Sequence, residues 1–148
     1  MNKPQMWIVA ISPFVFGYLL NYVMLEFNWY GAIITFISAL FYLYWFFAGR
    51  MSANWTKSRK ESILVGNSFA ILSYVLLMFQ VVSGNFFSGI MGIAPQMFYL
   101  PALRLAAQVE NILLFFHPTR YLWSIYSVAF MLMIAVYYAG YLRARPGP

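Results

Sequence analysis

The sequence predicts an all-α integral membrane protein: a bundle of four transmembrane helices with an additional external amphipathic helix that is interfacial or re-entrant. Of the 148 residues, 64% are hydrophobic and 8% are charged, whereas soluble domains carry about 25% charged residues. Four apolar segments have about the 20 residues that a helix needs to cross a hydrocarbon core of about 30 Å. The whole chain, 1–148, is therefore predicted to be one transmembrane domain with the lipid bilayer as its solvent.

The composition also argues against several classes of function. Nine Lys and Arg residues and only three acidic residues give a net charge of +6, but the basic residues flank apolar segments, so no nucleic-acid partner is expected. The chain has no cysteine and one histidine, which excludes thiolate nucleophiles and a multi-histidine metal site within one chain. No metal and no cofactor are expected.

The first two spans are predicted over residues 7–25 and 29–48. The first exceeds the apolar stretch of a signal peptide and is interrupted by Pro13, so an uncleaved anchor is expected. Only three residues separate the two spans, which predicts a tight antiparallel hairpin with Asn28 as the N-cap of the second helix.

The third and fourth spans are predicted over residues 63–82 and 122–141. A basic segment precedes the third span and ends in Ser58-x-x-Glu61, the pattern of a capping box. We therefore expect the third helix to begin near Ser58.

The distribution of basic residues predicts the orientation, because Lys and Arg in short loops stay on the cytoplasmic side. With four spans, seven of the nine fall on one side, and the other two are Arg104 and Arg120. The sequence therefore predicts a multi-pass protein of the cell membrane with both termini in the cytoplasm. The seven are Lys3, Arg50, Lys57, Arg59, Lys60, Arg143 and Arg145.

The stretch 83–120 is neither a clean span nor a polar loop. Pro101 suits the first position of a helix, so an amphipathic helix is predicted over 101–116. Arg104, Gln108 and Asn111 share one face of it, and apolar residues occupy the opposite face, as in a helix lying in the interface. A fifth span would place Arg104 and Glu110 in the bilayer at a cost of up to about 2.5–3.5 kcal/mol each, which favours the interfacial or re-entrant alternative.

Four of the polar residues inside the predicted spans are candidates for a functional role: Asn21, Asn67, Ser73 and Gln80. An amide in hydrocarbon is unfavourable without a hydrogen bond, so both asparagines are expected to face another helix. A polar pathway through the bundle is the functional interpretation. Ordinary helix packing is the more common reason for small and polar residues at such positions.

Candidate chemistry is confined to the predicted external side. Glu110 and His117 are candidate acid–base residues. The candidate binding residues are Arg104, Gln108, Asn111 and Arg120, and the charged residues of this side could bind a lipid phosphate. Together with Glu26 the charged members form a cluster on one face of the membrane, but no spacing fixes their mutual geometry, so interfacial charges are the simpler explanation.

Three hypotheses of function follow. The first is a non-enzymatic accessory or structural subunit that acts through helix packing with another membrane protein or with itself. The second is an oligomeric small transporter or channel whose path uses the four intramembrane polar residues. The third is a lipid-active membrane enzyme at the external polar cluster.

Overall fold

Every regular element of the described residues is an α-helix, which confirms the all-α prediction. The structure is a computed structural model that describes residues 3–27, 31–84, 89–114 and 122–144. These residues form six helices: α1 Lys3–Phe27, α2 Gly31–Trp55, α3 Arg59–Gly66, α4 Ser68–Ser83, α5 Gly89–Leu114 and α6 Leu122–Ala144.

Three of the helices have stretches long and apolar enough to cross a membrane, namely Pro4–Glu26, Gly31–Trp55 and Trp123–Ala144. The α3–α4 pair meets the same criteria when it is taken as one span with a bend of 53°. These lengths and compositions indicate a membrane protein. The predicted cap Asn28 lies outside the described residues.

The third predicted span is broken, so the prediction of one continuous helix over 63–82 is wrong. Its backbone leaves helical geometry at Asn67, with φ −107° and ψ 14°, which separates α3 from α4. Gly84 ends α4 in the left-handed conformation, with φ 71°, where a glycine has no steric penalty.

The predicted capping box at the start of α3 is confirmed. The Oγ of Ser58 accepts a hydrogen bond from the Glu61 amide at 3.2 Å, and the Glu61 carboxylate accepts one from the Lys57 amide at 2.9 Å. The carboxylate thus reaches the residue before the cap rather than the cap itself. Two N–H groups that the helix cannot pair internally are satisfied in this way.

The predicted start of a helix at Pro101 is wrong, because α5 runs without interruption through Pro95 and Pro101. Pro101 has no N–H, so it cannot pair with the carbonyl of Met97 one turn earlier. Gly17 of α1 lies directly on that carbonyl, leaving no room for a Cβ. Such an approach allows a weak Cα–H···O contact, and a neighbouring helix thus compensates for the proline.

Two helix pairs are antiparallel. In α1 and α2, Ser12 meets Tyr44 and Phe16 meets Phe41. In α4 and α6, the Tyr137 hydroxyl lies against Gly66 near the start of the bent pair, whereas Tyr74 binds Ser127 nearer the other end. The C-terminal end of α4 and the N-terminal end of α6 therefore lie on the same side of the bundle.

The fifth helix packs against α1, α2, α4 and α6. Tyr42 binds the carbonyl of Ala102 and Ser38 binds the amide of Leu105, so α5 runs antiparallel to α2. Arg104, Gln108 and Asn111 are exposed, whereas Tyr99 and Ala102 are fully buried. One side of the helix therefore belongs to the core, although Ile112 and Leu113 on the predicted apolar face are also exposed. The external position of this helix stays a prediction.

Among the described residues, α2 and α6 share the most extensive contact between helices. A Cβ on Gly49 would collide with the carbonyl of Tyr137, and a Cβ on Gly140 would collide with that of Phe46. Small residues at such crossings let two backbones approach, which is the usual basis of helix association in lipid. Large aromatic side chains, among them Trp45, Tyr99 and Tyr137, fill the rest of the core.

Candidate functional site

A buried polar group surrounds the bend at Asn67. We call it the Asn67 cluster, formed by Trp45, Ser52, Ser62, Asn67 and Tyr137. The Ser52 hydroxyl donates to the carbonyl of Gly49 at 2.6 Å, and its oxygen lies 2.6 Å from the Ser62 hydroxyl. Because the Ser52 proton is used on Gly49, Ser62 is the donor in the second bond. These bonds tie α2 to α3 beside the bend.

Two polar atoms in the Asn67 cluster have no hydrogen-bond partner although they are buried: Trp45 Nε1 and Asn67 Oδ1. The Tyr137 hydroxyl lies beside the hydroxyls of Ser52 and Ser62. The rings of Trp45 and Tyr137 are 5.5 Å apart. A buried polar atom without a partner costs about 1–3 kcal/mol. Such atoms are suited to binding water or a small polar solute.

The Asn67 side chain is fully buried, but it does not form the interhelical bond that the sequence suggested. Its amide donates to the carbonyl of Ile63 in α3 at 3.0 Å, and the same carbonyl also accepts from the backbone N–H of Asn67. Its oxygen remains available. The residue thus stabilises the break in the helix rather than joining two helices.

The other predicted intramembrane polar residues are separated. Ser73 and Gln80 are both buried on α4, seven positions apart and on one face. Asn21 lies on α1, is half-buried, and forms no hydrogen bond with the described residues. None of the four lines the cavity described below.

Tyrosine hydroxyls on other helices are used for contacts across the bundle. Tyr99 donates to the carbonyl of Ala70 at 2.6 Å, and Tyr42 donates to that of Ala102 at 3.4 Å. The hydroxyls of Tyr74 and Ser127 are 2.8 Å apart and join α4 to α6. These polar groups therefore link helices and do not line an open path.

Pro13 creates a further link between α1 and α2. A proline leaves the carbonyl four residues earlier without its helical donor, and here the Ser12 hydroxyl donates to that carbonyl, on Val9, at 2.7 Å. The Ser12 oxygen lies 2.7 Å from the Tyr44 hydroxyl. Tyr44 is consequently the donor to Ser12.

The predicted external cluster is only partly assembled by the described residues. The Nε of Arg104 donates to Thr35 of α2 at 3.1 Å, whereas Glu110 accepts from Ser124 of α6. Arg104 and Glu110 thus bind different helices and do not pair. His117 and Arg120 lie outside the described residues, so the acid–base pair Glu110 and His117 stays a prediction.

Metal binding gains no support from the described residues, which contain no group of three or more His, Cys, Asp or Glu residues placed to hold an ion. Glu26 is exposed in the last turn of α1, and Gln108 and Asn111 are exposed beside Arg104 on α5. Their roles in binding stay predictions.

An apolar groove, which the sequence did not predict, opens between α1, α2 and α5. We call it the α1–α2 groove. It has a volume of about 370 Å³, within the range of about 300–1,000 Å³ of small-ligand sites. Its lining residues are Phe16, Leu19, Leu20, Val23, Ile37, Leu40, Phe41, Tyr44 and Pro101.

The groove results from how the three helices meet. Gly17 draws α1 onto α5, while the hairpin partners α1 and α2 share few contacts. Their facing surfaces diverge from the Ser12–Tyr44 hydrogen bond, and α5 closes the back of the opening with Pro101. Periodicity within each helix carries no information on such a spacing between helices.

No protein-family model, curated protein or solved structure matches the chain.

Proposed function

We propose that the protein is a non-enzymatic subunit of the cell membrane that acts through helix packing with another membrane protein or with a second copy of itself. Its interior supports this function, because the buried tyrosine and serine hydroxyls mostly link helices within the bundle. The groups that remain for a partner lie on the outer surface.

The observation that carries the proposal is Asn21 on the outer part of α1. Its amide has no partner among the described residues, and the neighbouring side chains of Tyr18 and Tyr22 are 42% and 62% exposed. An amide on a lipid-facing surface gains about 0.6–2 kcal/mol when it bonds to a second helix. A partner helix packed against this face of α1 supplies the hydrogen-bond partner of the Asn21 amide.

Association in liposomes tests the proposal. Labelled copies of the protein are expected to show energy transfer that rises with the protein-to-lipid ratio, or to copurify with a membrane partner in a fixed ratio. Asn21→Leu is expected to weaken that association about 3- to 30-fold, from the value of an interhelical amide bond. The matched control is Asn54→Leu. Asn54 is an exposed asparagine near the C-terminal end of α2, and this variant should leave association unchanged.

A protein that stays monomeric at every protein-to-lipid ratio and copurifies with nothing would contradict the proposal. So would equal association of wild type and the Asn21→Leu variant.

We also propose the orientation in which both termini are cytoplasmic, which rests on seven of the nine basic residues lying on one side. Since the chain contains no cysteine, single cysteines report sidedness without background. In intact cells an impermeant maleimide should label Glu26→Cys and spare Lys57→Cys. Asn111→Cys should be labelled as well if the polar face of α5 is external.

A transporter or channel is the second candidate function, and the break at Asn67 favours it. Discontinuous membrane helices commonly form solute and ion sites because backbone and side-chain groups are freed there. Asn67 Oδ1 is such a freed group. Solute flux in proteoliposomes that is abolished by Asn67→Leu and unaffected by Asn54→Leu would replace the subunit proposal.

A further inference from the structure

The α1–α2 groove has a positive charge close to one end of it. Arg104 follows the groove residue Pro101 by one turn of α5. Its Nη2 lies against Gly31, the first residue of α2, where an added Cβ would be 3.0 Å away. The guanidinium is therefore at the end of a long apolar helix, the depth at which lipid headgroups meet a spanning helix.

The Arg104 guanidinium keeps donors for a ligand. The one hydrogen bond that it makes with the described residues uses Nε and Thr35, and no carboxylate among those residues pairs with it. The two terminal nitrogens supply the fork that binds phosphate oxygens in pairs. Glu26 is the acidic residue at the same end of α1, and it is exposed and makes no ion pair with the described residues.

The groove itself is apolar, partly open and elongated. It follows α1 from Phe16 to Val23, which is about 10 Å along the helix axis. A chain that moves from bilayer into the groove gains little from leaving lipid, because both surroundings are apolar. Packing alone therefore gives a weak site, and affinity depends on the charge at its end.

We propose that the α1–α2 groove holds one acyl chain of an anionic phospholipid whose phosphate is bound by Arg104. The shape of the groove selects a flexible hydrocarbon chain, and the guanidinium at its end selects the phosphate. The protein is thereby a specific lipid binder as well as a membrane subunit, and this site does not depend on the Asn21 face.

Counting bound lipid by native mass spectrometry tests the proposal with the full chain in detergent. The probes are dioleoylphosphatidylglycerol, dioleoylglycerol, which has the same chains and no phosphate, and glycerol phosphate, which has no chains. One molecule of the phospholipid should bind at least about tenfold more tightly than dioleoylglycerol, because the diglyceride lacks the phosphate and with it the charge-assisted hydrogen bond. The phospholipid should also bind more tightly than glycerol phosphate, which has no chain to occupy the groove.

Two variants separate the two halves of the site. Arg104→Gln should weaken phospholipid binding about tenfold, and Arg50→Gln, an exposed arginine at the other end of α2, should not. Leu40→Trp fills the groove and should abolish the bound lipid. Leu43→Trp, on an exposed face of α2 that does not line the groove, should retain it. Monodisperse elution and an unchanged helical circular dichroism spectrum confirm that each variant is folded.

Binding that is equal for the phospholipid and dioleoylglycerol, or that survives Leu40→Trp, would overturn the assignment. A groove that binds no lipid, together with a dimer that Leu40→Trp dissociates, would overturn it in favour of a second copy of the chain as the occupant. If glycerol phosphate binds with the same affinity as the phospholipid, the groove holds no acyl chain and Arg104 is only an anion contact, which would also overturn the assignment.

Discussion

The second helix meets its two neighbours α6 and α1 in opposite ways. Against α6, Gly49 and Gly140 bring the two backbones into contact and the space between them is filled. Against α1, one pair of hydroxyls and the contacts of the Phe16 ring with Phe41 and Tyr44 join the helices, and an open groove lies beside them. Since lipid already surrounds apolar side chains, tight packing stabilises a helix pair whereas an open apolar surface adds little. The first interface is therefore expected to supply stability, and the second is free to bind a ligand.

The largest effect is expected where the backbones touch. Gly140→Leu places a side chain against the carbonyl of Phe46 and the amide of Arg50, which cannot move aside as a side chain can. Overpacking typically costs about 1–3 kcal/mol, so a loss at or above about 3 kcal/mol is expected in SDS-induced unfolding. Ala139→Leu, the exposed neighbour, should change stability by less than about 0.5 kcal/mol. Equal stability of the two variants would show that α2 and α6 are not in contact.

The next largest difference in stability is expected between two truncations, one in the packed core at α6 and one in the α1–α2 groove. Met133 on α6 is fully buried in the cluster that includes Trp45, so Met133→Ala leaves a cavity and should cost about 2 kcal/mol or more. Leu40 is 48% exposed in the groove, where lipid replaces the lost methyl groups. Leu40→Ala should cost less than about 0.5 kcal/mol. SDS-induced unfolding measures the loss of stability in both variants. Equal losses for Met133→Ala and Leu40→Ala would mean that the groove is part of the packed core.

The smallest effect is expected for the hydrogen bond that joins α1 to α2. Tyr44→Phe removes the donor to Ser12 while keeping the ring, and interhelical hydrogen bonds in membranes average about 0.6 kcal/mol. A loss near that value in thermal unfolding is expected. Tyr22→Phe, on an exposed position, is the control. A loss above about 2 kcal/mol would mean that α1 depends on this bond rather than on its contact with α5.

Patterns along the chain predicted the elements more fully than their contacts. Hydropathy and length indicated the long apolar helices, and Ser58-x-x-Glu61 located the start of α3, because both signals act within a few turns of one helix. The spacing of Arg104, Gln108 and Asn111 likewise identified the exposed face of α5.

The errors fall where a neighbouring helix overrides a local preference. Pro101 suggested a helix start, but it lies inside α5. Gly17 of α1 packs against the Met97 carbonyl that the proline leaves without its helical donor. Asn67 was expected to bond to another helix, yet it bonds within its own chain segment and marks a break. The α1–α2 groove and the Asn67 cluster are properties of three or more helices together, which residue spacing in one segment does not specify.

The bend between α3 and α4 also bears on the thickness of the bilayer that suits this protein. The 16 residues of α4 rise about 24 Å and the eight of α3 about 12 Å. With an angle of 53° between them, the pair extends only about 31 Å along the α4 axis, whereas the 25 residues of α1 extend about 37 Å. If the bent pair is one span, a bilayer that matches α1 with little tilt is too thick for it. Hydrophobic mismatch should therefore tilt α1 or thin the membrane on the side of α4, and a thin bilayer should stabilise the protein most.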